Sequence, residues 1–530
     1  MNRHIESHLP GATAIVILMA AALLIPWLGE TLFNSKGEPR EALVAVSMLQ
    51  DGDWILPRNF GTDIPYKPPF MAWIIASLAW LFNGGMVNEY LSRVPSALAC
   101  VAMIGGGYFW ARSVRGTRFA MIFSLVTLTA VEVFRAGIAC RLDMILTACM
   151  VGAMYMLFDL TENRRRLPGL RYTAVVALLT VATLTKGPVG ALLPCAVAGV
   201  YRLLRGRRFF PTFFSMIGLA LAAMVIPAMW YYAAYQRGGK EFFDLMMEEN
   251  FGRLTGNMSY ESHENPWWYN FVTLIGGLCP WTLLLLITFF CFRLWTRLPR
   301  RPFKPAALFS VVAAVVTIGF YCIPASKRSV YLLPAYPFLC YGIASLLDET
   351  ELVRPIRIFT WIMAVLSALA PLAVVGLQIF PLPALTMATI PVWRYFALAL
   401  PLAAGIAWMV NRHSPVGHVL VIVWAMYMTY AVALMPAVLN PKSDYPAACT
   451  LREAPAIATY STFRPYSIDF YLNDAVRPVA DWAEATKLPA GSAVIATGDD
   501  IKGATADFEV STLTDRSGDI RRPLYVAVKK

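Results

Sequence analysis

At 530 residues, 58% hydrophobic and only 15% charged, with a mean hydropathy of +0.56, the chain falls outside soluble globular and disordered usage and fits a polytopic membrane protein. Its net charge of +12 comes from arginines in short segments between apolar runs, a membrane-topology signal that argues against nucleic acid as a partner. The nine cysteines include no CxxC and only Cys449 lies in the polar tail, which excludes a disulfide framework and a cysteine zinc site.

Residues 11–29 form the first run of span length, and their exit into a charged loop marks a retained anchor, not a cleaved signal peptide. The following stretch from Gly37 to Phe70, GEPREALVAVSMLQDGDWILPRNFGTDIPYKPPF, carries Glu38, Arg40, Glu41, Asp51, Asp53, Arg58, Asp63 and Lys67 in an otherwise apolar chain. The spacing of Leu43, Val46, Met48 and Leu49 predicts an amphipathic helix from Glu38 to Leu49 lying along the membrane surface. Gly52-Asp53-Trp54 and Pro57 then turn the chain, and Pro68-Pro69 return it stiffly toward the bilayer. Residues 68–83 are short and carry Trp73 and Trp80, which predicts an interfacial or re-entrant helix that does not cross.

Further spans are expected at 93–111, 119–137, 143–160, 212–235, 271–293, 305–323, 329–347, 356–379, 392–411 and 416–438, with two shorter ones at 172–185 and 188–204 around Lys186-Gly187-Pro188. With the first run this makes about thirteen crossings, each of roughly 17–25 residues. Arginine clusters at 112–118, 164–171, 202–208 and 293–301 fall on one face, which the positive-inside rule makes cytoplasmic. The N-terminus is then cytoplasmic, and the first outer loop (30–92), the turn carrying Asp143 and a second outer loop (236–270) share the opposite face. Beyond about residue 440, short apolar runs at 456–460, 493–497 and 524–528 alternate with helix-compatible segments such as 481–488, which predicts a small α/β domain. The expected organisation is a transmembrane domain over 1–438 and an extracytoplasmic domain over 439–530.

The order and spacing of Arg40, Gly52-Asp53-Trp54-Ile55-Leu56-Pro57 and Lys67-Pro68-Pro69 resemble the first outer loop of polyprenyl-phosphate-sugar-dependent membrane glycosyltransferases, the aminoarabinose transferase and protein O-mannosyltransferase superfamily. Leu142-Asp143, Thr185-Lys186-Gly187, Glu248-Glu249 ahead of Arg253, and Lys327 ahead of Tyr331-Leu332-Leu333-Pro334 resemble further motifs of that superfamily. The chain departs at two points: the first member of the family's acidic pair is Gly37, and the acid ahead of Lys-Pro-Pro is Tyr66.

The resemblance implies an all-α polytopic membrane protein of GT-C type with a small C-terminal α/β extracytoplasmic domain. It implies inverting transfer of a sugar from a polyprenyl phosphate to an extracytoplasmic acceptor, whether lipid A, another glycolipid, a glycan or a protein. A monomer in a bacterial inner membrane, with the C-terminal domain periplasmic, follows from the same likeness. Two other functions draw on similar ingredients: a lipid-linked sugar flippase or transporter, and a diphosphate-donor oligosaccharide ligase of similar fold.

Such a transfer needs a carboxylate to take the acceptor's proton and cations to hold the departing phosphate. Glu38 and Asp143 are the expected carboxylates, and Arg40, Lys67, Lys186, Arg253, Lys327 and Arg328 the expected donor-phosphate cations. Lys186 interrupts an apolar hairpin, where a charge is costly unless it faces a polar cavity or snorkels. Tyr66, Glu249, His263 and Tyr331 are expected to touch substrate. No cofactor is expected: some relatives hold a divalent metal between an acid and a His at these places, but Tyr66 replaces the acid, which leaves His263 a structural or hydrogen-bonding residue ahead of a metal ligand.

Overall fold

The computed structural model describes residues 11–530 except 61–62, 66, 163–167, 253–263, 293–302, 350–351, 381–386, 412, 454–455 and 516–521. The first ten helices are α1 (Ala12–Leu24), α2 (Gly37–Asp51), α3 (Phe70–Phe82), α4 (Glu89–Arg115), α5 (Thr117–Leu128), α6 (Val131–Gly137), α7 (Leu142–Glu162), α8 (Pro168–Lys186), α9 (Val189–Leu204) and α10 (Phe209–Met247). Most have no polar face, so they bury their surfaces on one another or in lipid.

Among the described residues eight helices are long and apolar enough to cross a membrane, or ten if two bent pairs each count as one span. The bent pairs are α5 with α6, at 71°, and Tyr269–Gly277 with Trp281–Cys291, at 103°. The other expected crossings, α1, α8 and α9, do not meet that measure alone, and α1 stops at Leu24 ahead of Pro26, which has no N–H to continue the ladder. α3 is a 13-residue apolar helix.

α4 packs on α1, α5 and α7, and its start is capped by Asn88, whose side-chain oxygen accepts the Leu91 N–H at 2.9 Å. α2 ends where Gly52 takes a left-handed conformation (φ 70°) and its N–H reaches the Met48 carbonyl. The helix expected from Glu38 to Leu49 is α2, and its apolar residues are covered by protein. Ala42, Leu43, Ala45, Val46 and Met48 are buried, and the helix packs against both α3 and a C-terminal helix, Tyr466–Leu472. α10 is broken at Gly239 (φ 54°, ψ −141°), so its last turns leave the direction of the span.

The C-terminal region carries five strands, β1 (Thr459–Ser461), β2 (Arg477–Pro478), β3 (Ala493–Thr497), β4 (Phe508–Thr514) and β5 (Leu524–Lys529), in the order β2-β1-β3-β5-β4. β1 runs parallel to β2 and β3, while β5 is antiparallel to β3 and β4, with Val494 opposite both Tyr460 and Ala527. Every residue of β3 is buried, as a central strand covered on both faces requires. Ile495 and Leu524 pack with Ala447, Ala448, Ile468 and Val476 on one side; Val494 and Ala527 pack with Val479, Ala485 and Phe508 on the other. The apolar runs expected as strands are β1, β3 and β5.

This region is fastened to the first loop. The Arg464 Nε donates to Asp63 at 2.8 Å, and the Tyr471 hydroxyl accepts the Phe33 N–H at 2.7 Å while donating to Glu89 at 2.8 Å.

Candidate active site

Glu38 begins α2, and the fold buries it to 7% exposure. Arg93 approaches it from α4, with Nε 2.8 Å from Oε1 and Nη2 3.3 Å from Oε2, and the Cys140 N–H donates to Oε1 at 2.9 Å. Arg93 also donates to the Leu28 and Thr31 carbonyls, so one guanidinium gathers the segment after α1, the start of α2 and α4. Burial pushes the Glu38 carboxyl up, but Arg93 outweighs it and holds the group below the usual carboxylate range. Arg141 stands against Gly37: a β-carbon there would lie 2.9 Å from its guanidinium. With no side chain at Gly37, that space is filled by arginine.

The Gly-Asp-Trp turn is a scaffold. Asp53 accepts the N–H groups of Ile55 and Leu56 at 2.9 and 3.0 Å and pairs with Arg237 of α10. The Trp73 and Trp230 indoles donate to the Trp54 and Ile55 carbonyls, which pins the turn between α3 and α10. Beside it opens a cleft of about 630 Å³. Arg40, Glu41 and Lys67 line it on the first loop, Glu241 and Asp244 on the broken end of α10 and Glu248 just after it add acidic groups, and Tyr466 of the C-terminal region completes the lining.

Within the cleft, Glu41 Oε1 accepts from Arg40 at 3.0 Å and from Lys67 at 3.3 Å. Burial raises the Glu41 carboxyl, but Lys67 and Arg40 together hold it at about 2. Burial, Arg40 and Lys186 depress the Lys67 ammonium against the pull of Glu41 and Asp143, which puts Lys186 and Asp143 within its electrostatic reach. Asp143, in the first turn of α7, pairs directly with Lys186 at the end of α8, whose ammonium lies 4.2 Å from the centre of the Tyr331 ring. The first loop and the turn carrying Asp143 therefore meet on one face: Cys140, bonded to Glu38, is three residues from Asp143.

Lys327 is buried with its ammonium on the carbonyls of Pro324, Asn265 and Ala325, at 2.7, 3.1 and 3.4 Å. It thereby staples residues 264–265 to the loop at 324–328. Arg328 is half-buried before the turn Ser329–Ala335, and Glu249 lies in a wide helical turn, Glu248–Gly252. Tyr66, Arg253 and His263 lie outside the described residues. Glu41, Arg93, Arg464 and Tyr466 are absent from the residues expected above. Arg93 had a signal, a charge at the head of an apolar run, and Glu41 another, its position one turn along α2 from Glu38. Tyr466 and Arg464 had none.

Residues 66–232 match the family model of dolichyl-phosphate-mannose-protein mannosyltransferases. That span carries Lys67, Asp143 and Lys186; Glu38, Arg40 and Glu41 precede it. The undecaprenyl phosphate-α-4-amino-4-deoxy-L-arabinose arabinosyl transferase of Pectobacterium atrosepticum is 26% identical over 376 residues, 69% of this chain and 65% of the relative's length. Its counterpart in Serratia proteamaculans is 25% identical over 405 residues, 74% of this chain and 70% of the relative. The crystal structure of ArnT from Cupriavidus metallidurans bound to undecaprenyl phosphate superposes with a TM-score of 0.73 at 23% identity, covering 97% of this chain and 98% of that one, so the two share a fold.

Proposed function

We propose, on the premise that this chain belongs to the superfamily of the aminoarabinose transferases and protein O-mannosyltransferases and has their GT-C fold, that it is a glycosyltransferase of the bacterial inner membrane. It moves a sugar from a polyprenyl phosphate to an acceptor on the periplasmic side, with its N-terminus cytoplasmic, its C-terminal domain periplasmic, and the monomer as the working unit. The observation that carries this reading is the cleft itself: two cations and a carboxylate on one wall, adjoining the Asp143–Lys186 pair, where the first outer loop meets the C-terminal region.

The chemistry follows from the side chains. The acceptor oxygen attacks the anomeric carbon from the face opposite the phosphate, the carbon–oxygen bond to phosphate breaks, and its electron pair goes to the phosphate. Arg40 and Lys67 meet that growing charge, with Lys186 behind them, in a partly enclosed site where fixed cations act more strongly than in water. Lys186 is positioned by Asp143 and by the Tyr331 ring face. Lys327 acts in this reading by holding the loop that carries Arg328 and Tyr331, since three carbonyls take its ammonium. Glu249 and Arg253, both in the second outer loop of the sequence, are further substrate contacts in this reading.

Mixing the purified protein with a polyprenyl-phosphate sugar and an envelope-lipid acceptor, and measuring released polyprenyl phosphate, tests the proposal. A transferase releases it in step with sugar transfer. A flippase or transporter releases none, and that outcome would overturn the reading.

A further inference from the structure

Of the three carboxylates beside the basic residues, Glu38, Glu41 and Asp143, Glu41 alone lines the open cleft. Both oxygens of Glu38 are taken by Arg93, and Oε1 also holds the Cys140 N–H. Asp143 is paired with Lys186 beneath Tyr331. Glu41 lines the cleft, and both its cationic contacts fall on Oε1; among the described residues no bond is made to Oε2. We propose that Glu41 is the catalytic base of the transfer, and that the donor's phosphate activates it by drawing Lys67 and Arg40 away. The proposal rests on the glycosyltransferase reading above and assigns the base role expected at Glu38 to its neighbour one turn on.

The physical case is a competition for two cations. Without donor, Lys67 and Arg40 hold the Glu41 carboxyl at about 2, which makes it a poor proton acceptor. A phosphate in the cleft is a stronger partner for the same ammonium and guanidinium. Once they turn to it, Glu41 loses its favourable charges and gains a negative neighbour, and both changes raise its proton affinity. The same cleft is lined by Asp63 on the loop, paired with Arg464, by Glu241, paired with Arg58, and Asp244 on α10, and by Glu248 in the turn after it. Lys186, tied to Asp143, stays behind as a fixed cation. In the step itself the acceptor hydroxyl gives its proton to Glu41 as its oxygen bonds the anomeric carbon. The phosphate leaves with the electron pair of the broken bond, and Glu41 later returns the proton to water. Donor then binds before acceptor, because the base does not exist until the phosphate has arrived.

The test uses the full chain in detergent or nanodiscs. Glu41→Gln keeps an oxygen that can accept from Lys67 and Arg40 but cannot take a proton. It is expected to lower turnover at least 100-fold, the scale of a positioned base, while binding of an isoprenyl monophosphate without sugar stays within about threefold of wild type or tightens as the repulsion is removed. That ligand is also expected to bind wild type with uptake of a proton that Glu41→Gln does not take up, measured as affinity against pH. Glu41→Asp, one methylene shorter, serves if the Gln variant does not fold, with a loss of at least tenfold and unchanged phosphate binding. Turnover within threefold of wild type, or a loss matched by an equal loss of isoprenyl phosphate binding, overturns the assignment of Glu41 alone. A wild-type protein that releases no polyprenyl phosphate from a sugar donor overturns the glycosyltransferase reading and the base role with it.

Discussion

Glu38 and Arg93 form a buried two-point ion pair, 2.8 and 3.3 Å, that ties the start of α2 to the start of α4. Removing one partner leaves the other charge buried and unpaired, which typically costs about 3–5 kcal/mol. Glu38→Ala and Arg93→Met are each expected to lower the melting temperature in detergent, and Glu38→Met with Arg93→Met to recover much of the loss. Scanning fluorimetry on the three variants checks this. Single variants that melt with wild type would show that the pair does not hold the loop. The Glu38 carboxyl is depressed, so its stabilisation is present above the ordinary 4.5 and fades as pH falls below it.

Lys67 and Arg40 should act on the donor and Lys327 on the fold. Lys67→Ala and Arg40→Ala are expected to raise the KM for a polyprenyl-phosphate sugar and lower kcat/KM by about 10²-fold, since each removes a charge-assisted contact with the leaving group. Lys327→Met is expected to lower the melting temperature by leaving three loop carbonyls unsatisfied. A large KM effect in Lys327→Met with normal stability would return that residue to the phosphate site.

Asp143 and Lys186 should be strongly coupled because each is the other's charge partner in a half-buried setting. Asp143→Asn and Lys186→Met are each expected to be severe, and the double variant much less severe than their sum, with a coupling of at least about 1 kcal/mol in kcat/KM. An additive double-mutant cycle would mean that the two side chains serve separate tasks.

Asp469, 1% exposed, sits in the helix that supports Tyr466. Burial pushes its carboxyl from 3.8 up to about 7, with Asp63 and Asp474 adding to the rise and the Val476 N–H and Arg464 opposing it. A raised acid binds its proton in the folded state while the unfolded chain has released it. Stability from this group is therefore complete below about 3.8 and lost as pH rises to about 7. Between pH 5 and 8 wild type should lose a few kcal/mol that Asp469→Asn does not, read by pulse proteolysis of the C-terminal domain in the full chain.

The elements that could be read in the sequence are those where charge interrupts an apolar background: the first loop, Asp143 and Lys186. A charge in that setting announces a polar site, but not its partner. Arg93 looks like an ordinary span-end arginine until α4 folds it onto an acid 55 residues away. Glu38 and Glu41 differ by about 60° around α2, and that rotation decides whether a carboxylate meets Arg93 or the cleft. The bend between α5 and α6 has no glycine or proline from 117 to 136 to announce it, whereas Gly276, Gly277 and Pro280 mark the other one. The wall supplied by Tyr466 depends on contacts across 401 positions, such as Arg464 with Asp63, and no local pattern encodes them.

Because the cleft joins Arg40 to Tyr466, 426 positions later in the chain, its lining is complete only after residue 466 has left the ribosome. Membrane insertion of the helices before it is finished by then. A nascent chain that stops short of Tyr466 can show its cations to passing lipid phosphates, but it lacks one side of the cleft in which to work on them.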